Sequence, residues 1–151
     1  MRKPYFLLCF LLLIPAFLSA QTAAELDEVL DTREISYSHA ARFVIASANV
    51  TLEADAAVPE TAFELAMMKG WVPKKASPDD PITLGGLSFL IMKAFNMKGG
   101  LMYLIMPGPR YAFRAMVSRS LIQGSADPSM KVSGDRFLLI LGNVLNTEGA
   151  E

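Results

Sequence analysis

Apolar residues recur along this chain with the period of a helix. Leu87, Leu90, Ile91, Ala94 and Phe95 are spaced i, i+3, i+4, i+7 and i+8, and Phe137, Ile140, Leu141, Val144 and Leu145 repeat the spacing. Ala40, Phe43, Val44, Ser47 and Ala48 form a diluted copy. Each set is the apolar stripe of an amphipathic helix. A hydroxyl residue stands where each helix would be capped, at Ser36, Thr83 and Ser133, and an aliphatic residue precedes each one: Ile35, Ile82 and Val132. The hydroxyl oxygen can accept from an orphan backbone N–H, and the aliphatic residue is placed for a hydrophobic staple.

A second set of helices precedes two of these. Pro59 and Pro109 suit a first helical turn. Phe63, Ala66 and Met67 in one, and Phe113, Met116 and Val117 in the other, are expected to point inward. These helices should end near Gly70 and Ser120. The following stretches, "VPKKASPDDP" and "QGSADPSMK", carry the Pro, Gly and Asp of irregular connections. "TAAELDEVLDT" predicts one further short helix, with Thr22 and Glu25 as a capping box. "NVTLEA" reads as loop.

The elements repeat. With a fifty-residue offset, Pro59 to Asn96 aligns without a gap on Pro109 to Asn146. The identical pairs are Pro59/Pro109, Ala62/Ala112, Phe63/Phe113, Ala76/Ala126, Pro78/Pro128 and Asn96/Asn146. Arg33 to Asn49 is a fainter copy of the second helix. The expected fold is therefore all-α: tandem helix-loop-helix repeats, in units of about 22–49, 59–96 and 109–146, packed as a small pseudo-symmetric helical bundle.

The N-terminus changes the picture of where such a bundle works. Arg2 and Lys3 precede an uncharged apolar run from Tyr5 to Leu18, and Ser19-Ala20 follow. That is the layout of a secretory signal peptide over residues 1–20, and the run is short for a membrane span of about twenty residues. The domain is then 21–151, exported to the periplasm or cell envelope, with no transmembrane span after cleavage. Cys9, the one cysteine, lies inside the apolar run, so the exported part has neither disulfide nor thiol chemistry. Removing Arg2 and Lys3 from fourteen basic residues leaves twelve against fifteen acidic ones, with no basic block. Nucleic acid is an unsuited partner.

These features together resemble the S-layer homology family. "GWVPKKASPDDPITLGGLSFLIMKAF" and "SLIQGSADPSMKVSGDRFLLILGNVL" follow its course. A first helix ends in Gly plus an apolar residue (here Gly70-Trp71), an irregular loop follows, and an [IV]-[ST] step leads into a second helix that in the family opens close to I-T-R-A-E-F. The resemblance covers about Pro59 to Asn146. It implies a non-catalytic module that contacts cell-wall polysaccharide or peptidoglycan in grooves near the T-R-A-E segment. Here those four positions read Ser36-Tyr37-Ser38-His39, Thr83-Leu84-Gly85-Gly86 and Ser133-Gly134-Asp135-Arg136. The hydroxyl is kept in all three, the Arg and the Glu in none. Without the Arg, the planar cationic fork for an anionic sugar is missing. The alternative expectation is a degenerate module that binds an envelope protein instead.

The candidate ligand-binding residues are Thr83, Ser133, Asp135 and Arg136 at the helix starts, with Arg110 and Tyr111 in "PGPRYAFR". Arginine and tyrosine there suit a sugar ring or an acidic group. Trp71 is read as an apolar plug after its helix. No catalytic constellation, metal-ligand spacing or cofactor motif is present: His39 is the one histidine, and Asp79-Asp80 in "SPDDP" reads as a turn.

Overall fold

Two of the three hydroxyls, Ser36 and Thr83, cap their helices as their spacing predicts. The computed structural model describes residues 24–48 and 58–148. The expected signal peptide, Thr22 of the capping box and the "NVTLEA" loop lie outside the described residues. Among the described residues there are seven helices and no strand. They are α1 (24–31), α2 (Tyr37–Ser47), α3 (Pro59–Met68), α4 (Leu84–Ala94), α5 (Leu101–Ile105), α6 (Pro109–Ser118) and α7 (Gly134–Glu148). Thr83 Oγ1 accepts from Gly86 N at 3.1 Å, and Ser36 Oγ from His39 N at 3.4 Å. The protein is all-α, as the periodicity requires.

Helix ends follow local chemistry too. After α3 the Trp71 N–H returns to the Ala66 carbonyl at 2.8 Å, with Gly70 at φ 68°. After α6 the Leu121 N–H returns to the Met116 carbonyl at 3.0 Å, with Ser120 at φ 60°. Both are Schellman closures, which need a left-handed residue. Glycine adopts that conformation freely, whereas Ser120 does so at a cost of about 1 kcal/mol. Trp71 packs partly buried on the core with Lys69 Nζ 5.4 Å from its ring centroid, as a plug does.

The caps' aliphatic neighbours organise the centre. Ile35 N donates to the Val132 carbonyl (2.8 Å), Val132 N to the Ile82 carbonyl (3.1 Å), and Ile82 N to the Ile35 carbonyl (2.8 Å). Three segments far apart in sequence thus close one ring of backbone hydrogen bonds, and all three side chains are buried. The opening N–H groups of each following helix are also taken in trans. Tyr37 N and Ser38 N donate to the Asp80 and Pro78 carbonyls, Leu84 N and Gly85 N to Met130 and Pro128, and Gly134 N to Thr32. With His39 N and Gly86 N taken by the caps, the starts of α2 and α4 hold no free donors for an anion.

Two inward-facing assignments change. From Leu84 to Met92 every residue of α4 is buried, Gly85, Gly86, Ser88 and Phe89 included. A helix apolar all round is an interior helix. It packs on α6 and α2, while α2 also packs on α3 and α7. Ser88, the polar exception, donates its hydroxyl to the Leu84 carbonyl at 2.6 Å. In α6 it is Ala112, Phe113, Ala115 and Met116 that are buried, and Val117 is exposed, because the face against α4 falls one position earlier than expected.

Candidate functional site

The positions that align with the family's Arg are occupied inside the fold. Tyr37 is 7% exposed and Leu84 fully buried. Gly134 faces the end of α1 so closely that a Cβ there would lie 1.5 Å from the Val29 carbonyl oxygen. The three positions where the resemblance would put an arginine are filled by a tyrosine, a leucine and a neighbouring backbone. The positions that align with the family's Glu differ from one another. Gly86 backs onto the Tyr37 hydroxyl, which a Cβ would approach to 2.2 Å. Arg136 reaches back to its own preceding loop and donates to the Ser125 carbonyl at 2.8 Å. His39 alone is exposed, and its Nδ1 lies 2.9 Å from Ser36 Oγ.

The six residues singled out in the sequence do not converge. Thr83 caps α4 and shares a hydrogen bond with the Tyr37 hydroxyl, whose pKa burial raises. The Ser133 hydroxyl donates to the Asp135 carboxylate and holds its pKa below the ordinary carboxylate range. Arg136 staples a loop. Arg110 is exposed in the first turn of α6, and Tyr111 is half-buried against the core. Four of the six thus serve the helix starts and loops.

One helix start does open. Beside Ser36 and His39 lies a groove of about 320 Å³ between α1, α2 and the loop before α4. Its polar lining includes Glu25, Glu28, Glu34, Arg42 and Asp79, and Phe43 supplies an apolar wall. Arg42 Nη2 is paired with Glu25 Oε2 at 2.7 Å and lies 5.8 Å from the Phe43 ring centroid. Glu28, Glu34 and Asp79 have no side-chain partner among the described residues, so the groove is negative. Sequence reasoning passed over this set. Its signal was the acidic run of α1 and the turn after it, five carboxylates from Glu25 to Glu34, which by itself reads as a solvated face. Asp79 joins it only through folding, from a stretch that reads as a turn.

Chemically the groove offers acceptors. Ser36 and His39 touch, but among the described residues no carboxylate is hydrogen-bonded to the other nitrogen of His39, and the Ser36 oxygen is engaged by the helix start. No group of three metal-ligating side chains occurs among the described residues.

A second, shallower depression of about 340 Å³ separates α5 from α6, lined by Leu101, Met102, Tyr103, Tyr111 and Arg114. Tyr103 is the one buried residue of α5, and its hydroxyl has no hydrogen-bond partner among the described residues. Burial raises its pKa. An unpaired buried hydroxyl is destabilising, so Tyr103→Phe is expected to raise stability by roughly 1 kcal/mol. Thermal unfolding of the two proteins checks this through a higher Tm for the variant.

No family model matches this chain, and no curated protein or solved structure was found to be similar to it.

Proposed function

We propose that this chain is an exported, non-catalytic module of the cell envelope, akin to the S-layer homology family, that contacts peptidoglycan through the groove between α1 and α2. The observation that carries the reading is the contrast among the three helix starts. Two are filled by Gly86 against Tyr37 and by Gly134 against Val29, and the third opens between unpaired carboxylates. The ring joining Ile35, Ile82 and Val132 supports the kinship, since it ties together the same [IV]-[ST] step in three segments.

The charge of the groove selects the ligand. Glu28, Glu34 and Asp79 repel a phosphate- or pyruvate-bearing polymer, the ligand that an arginine fork serves. They accept hydrogen bonds from sugar hydroxyls and from the free amines of peptide stems. Peptidoglycan supplies both.

Sedimentation with isolated peptidoglycan sacculi tests this. The wild type is expected to co-sediment and Arg110→Ala to behave alike, while the double variant Glu34→Gln/Asp79→Asn is retained about tenfold more weakly, the effect of a lost charged hydrogen bond. If the wild type stays in the supernatant while circular dichroism shows it helical, the wall is not its partner. Cross-linking in the envelope would then identify a protein in its place.

A further inference from the structure

The segment between the two repeat units carries a feature that the groove does not use. In α5 and the residue after it, Leu101, Met102, Leu104, Ile105 and Met106 all face solvent, with Leu101, Leu104 and Ile105 72%, 67% and 71% exposed. Five large apolar side chains on six consecutive positions form a patch of the kind that marks a contact surface. Tyr103 is the inward anchor of this turn.

The charges around it have one sign. From Pro81 to Ala126 the chain has five basic residues, Lys93, Lys98, Arg110, Arg114 and Arg119, and no acidic one, although acidic residues outnumber basic ones overall. Lys98, Arg110, Arg114 and Arg119 are exposed and form no ion pair among the described residues. They are held around α5. The Arg119 guanidinium donates to the Lys98 carbonyl just before α5, Arg114 lines the depression beside Leu101 and Met102, and Arg110 follows Met106 after Pro107-Gly108-Pro109.

We propose that this face docks on an anionic phospholipid surface, with Leu101, Leu104, Ile105 and Met106 entering the headgroup boundary and the four cations lying over the phosphates. An apolar wedge and a basic rim are the two signals that reversible surface binding combines. No helix among the described residues is long and apolar enough to cross a membrane, and the proposed contact is made by a short exposed turn lying on the surface. A second copy is a poor occupant, because a two-fold contact would set these cations against their own kind. The surface shares no residue with the peptidoglycan groove, so the chain would bridge membrane and wall.

The test uses the chain as its host exports it, with its N-terminus read by mass spectrometry. Vesicles are made of phosphatidylcholine with an equal amount of phosphatidylglycerol, or of phosphatidylcholine alone. Co-flotation is expected with the anionic vesicles and to fall with salt. Arg110→Gln and Arg114→Gln should each weaken it about fivefold. Leu104→Asp/Ile105→Asp, at two exposed positions, should abolish it while circular dichroism shows the helices kept, and Glu34→Gln/Asp79→Asn should leave it unchanged. Three results overturn the proposal: no flotation with either vesicle, flotation that survives Leu104→Asp/Ile105→Asp, or a dimer or a captured protein that the same double variant disrupts while vesicles stay unbound.

Discussion

Gly134→Ala is expected to destabilise this protein by more than about 3 kcal/mol, beyond the usual range for adding one methyl group. The added Cβ would fall 1.5 Å from the Val29 carbonyl oxygen and 2.5 Å from its carbon. Backbone cannot swing away as a side chain can, so either α1 or the start of α7 has to move. That movement also strains the hydrogen bond from Gly134 N to the Thr32 carbonyl, 2.9 Å long. Against a total stability of about 5–15 kcal/mol, such a loss leaves a marginal domain. Gly142→Ala is the internal control on the same helix. Nothing lies within 4 Å of a Cβ there, so this change removes an entropic cost and should stabilise by about 0.5–1 kcal/mol. Urea unfolding of the two variants should give midpoints displaced in opposite directions. Equal shifts would mean that the approach of α1 to Gly134 is not as described.

Phe137→Ala is the other large effect, a loss of about 3–5 kcal/mol. Phe137 is fully buried one turn into α7 and meets Phe43 edge to face, with centroids 6.0 Å apart at 66°. Truncation forfeits the transfer of the ring from water, the aromatic pair, and the close packing of α2 on α7. Leu139→Ala, two residues on, should change stability by no more than about 0.5 kcal/mol, because Leu139 is 59% exposed. Calorimetry or denaturant titration of both separates a core position from a surface one of similar hydrophobicity. Because Phe43 also walls the groove, the proposed function predicts that Phe137→Ala weakens retention on sacculi in whatever fraction stays folded.

Helix starts and stops were legible because their causes are local. A hydroxyl oxygen reaches an N–H three residues on, a proline fixes the first turn, and Gly70 accepts a left-handed backbone, whatever the rest of the chain does. Repetition of a residue was a weaker guide. Asn96 and Asn146 align, yet Asn96 closes α4 at φ 52° while Asn146 lies inside α7. The neighbours differ: Met97 is buried and its N–H returns to the Met92 carbonyl at 2.9 Å, whereas Thr147 continues the helix and bonds the Asn143 carbonyl. α5 was not legible either. Six residues lie between Gly-Gly and Pro-Gly-Pro, and no periodicity over so short a run says that five of their side chains face water.

The candidate site was harder still, because a ligand groove is defined by what other segments leave empty. Thr83, Ser133, Asp135 and Arg136 lie at the helix starts where the resemblance puts them. What their surroundings allow depends on Tyr37, Val29 and the loop carbonyls of Gln123 and Ser125, all far away in sequence or set by loop conformation. By itself the sequence determined the helices, their caps and the apolar faces, through interactions spanning at most a turn or two. Only the tertiary structure decided that α4 is interior, that two helix starts are closed and one is open, and that acidic and basic groups gather at separate surfaces. Those outcomes rest on excluded volume and on backbone hydrogen bonds between distant segments, which no local pattern encodes.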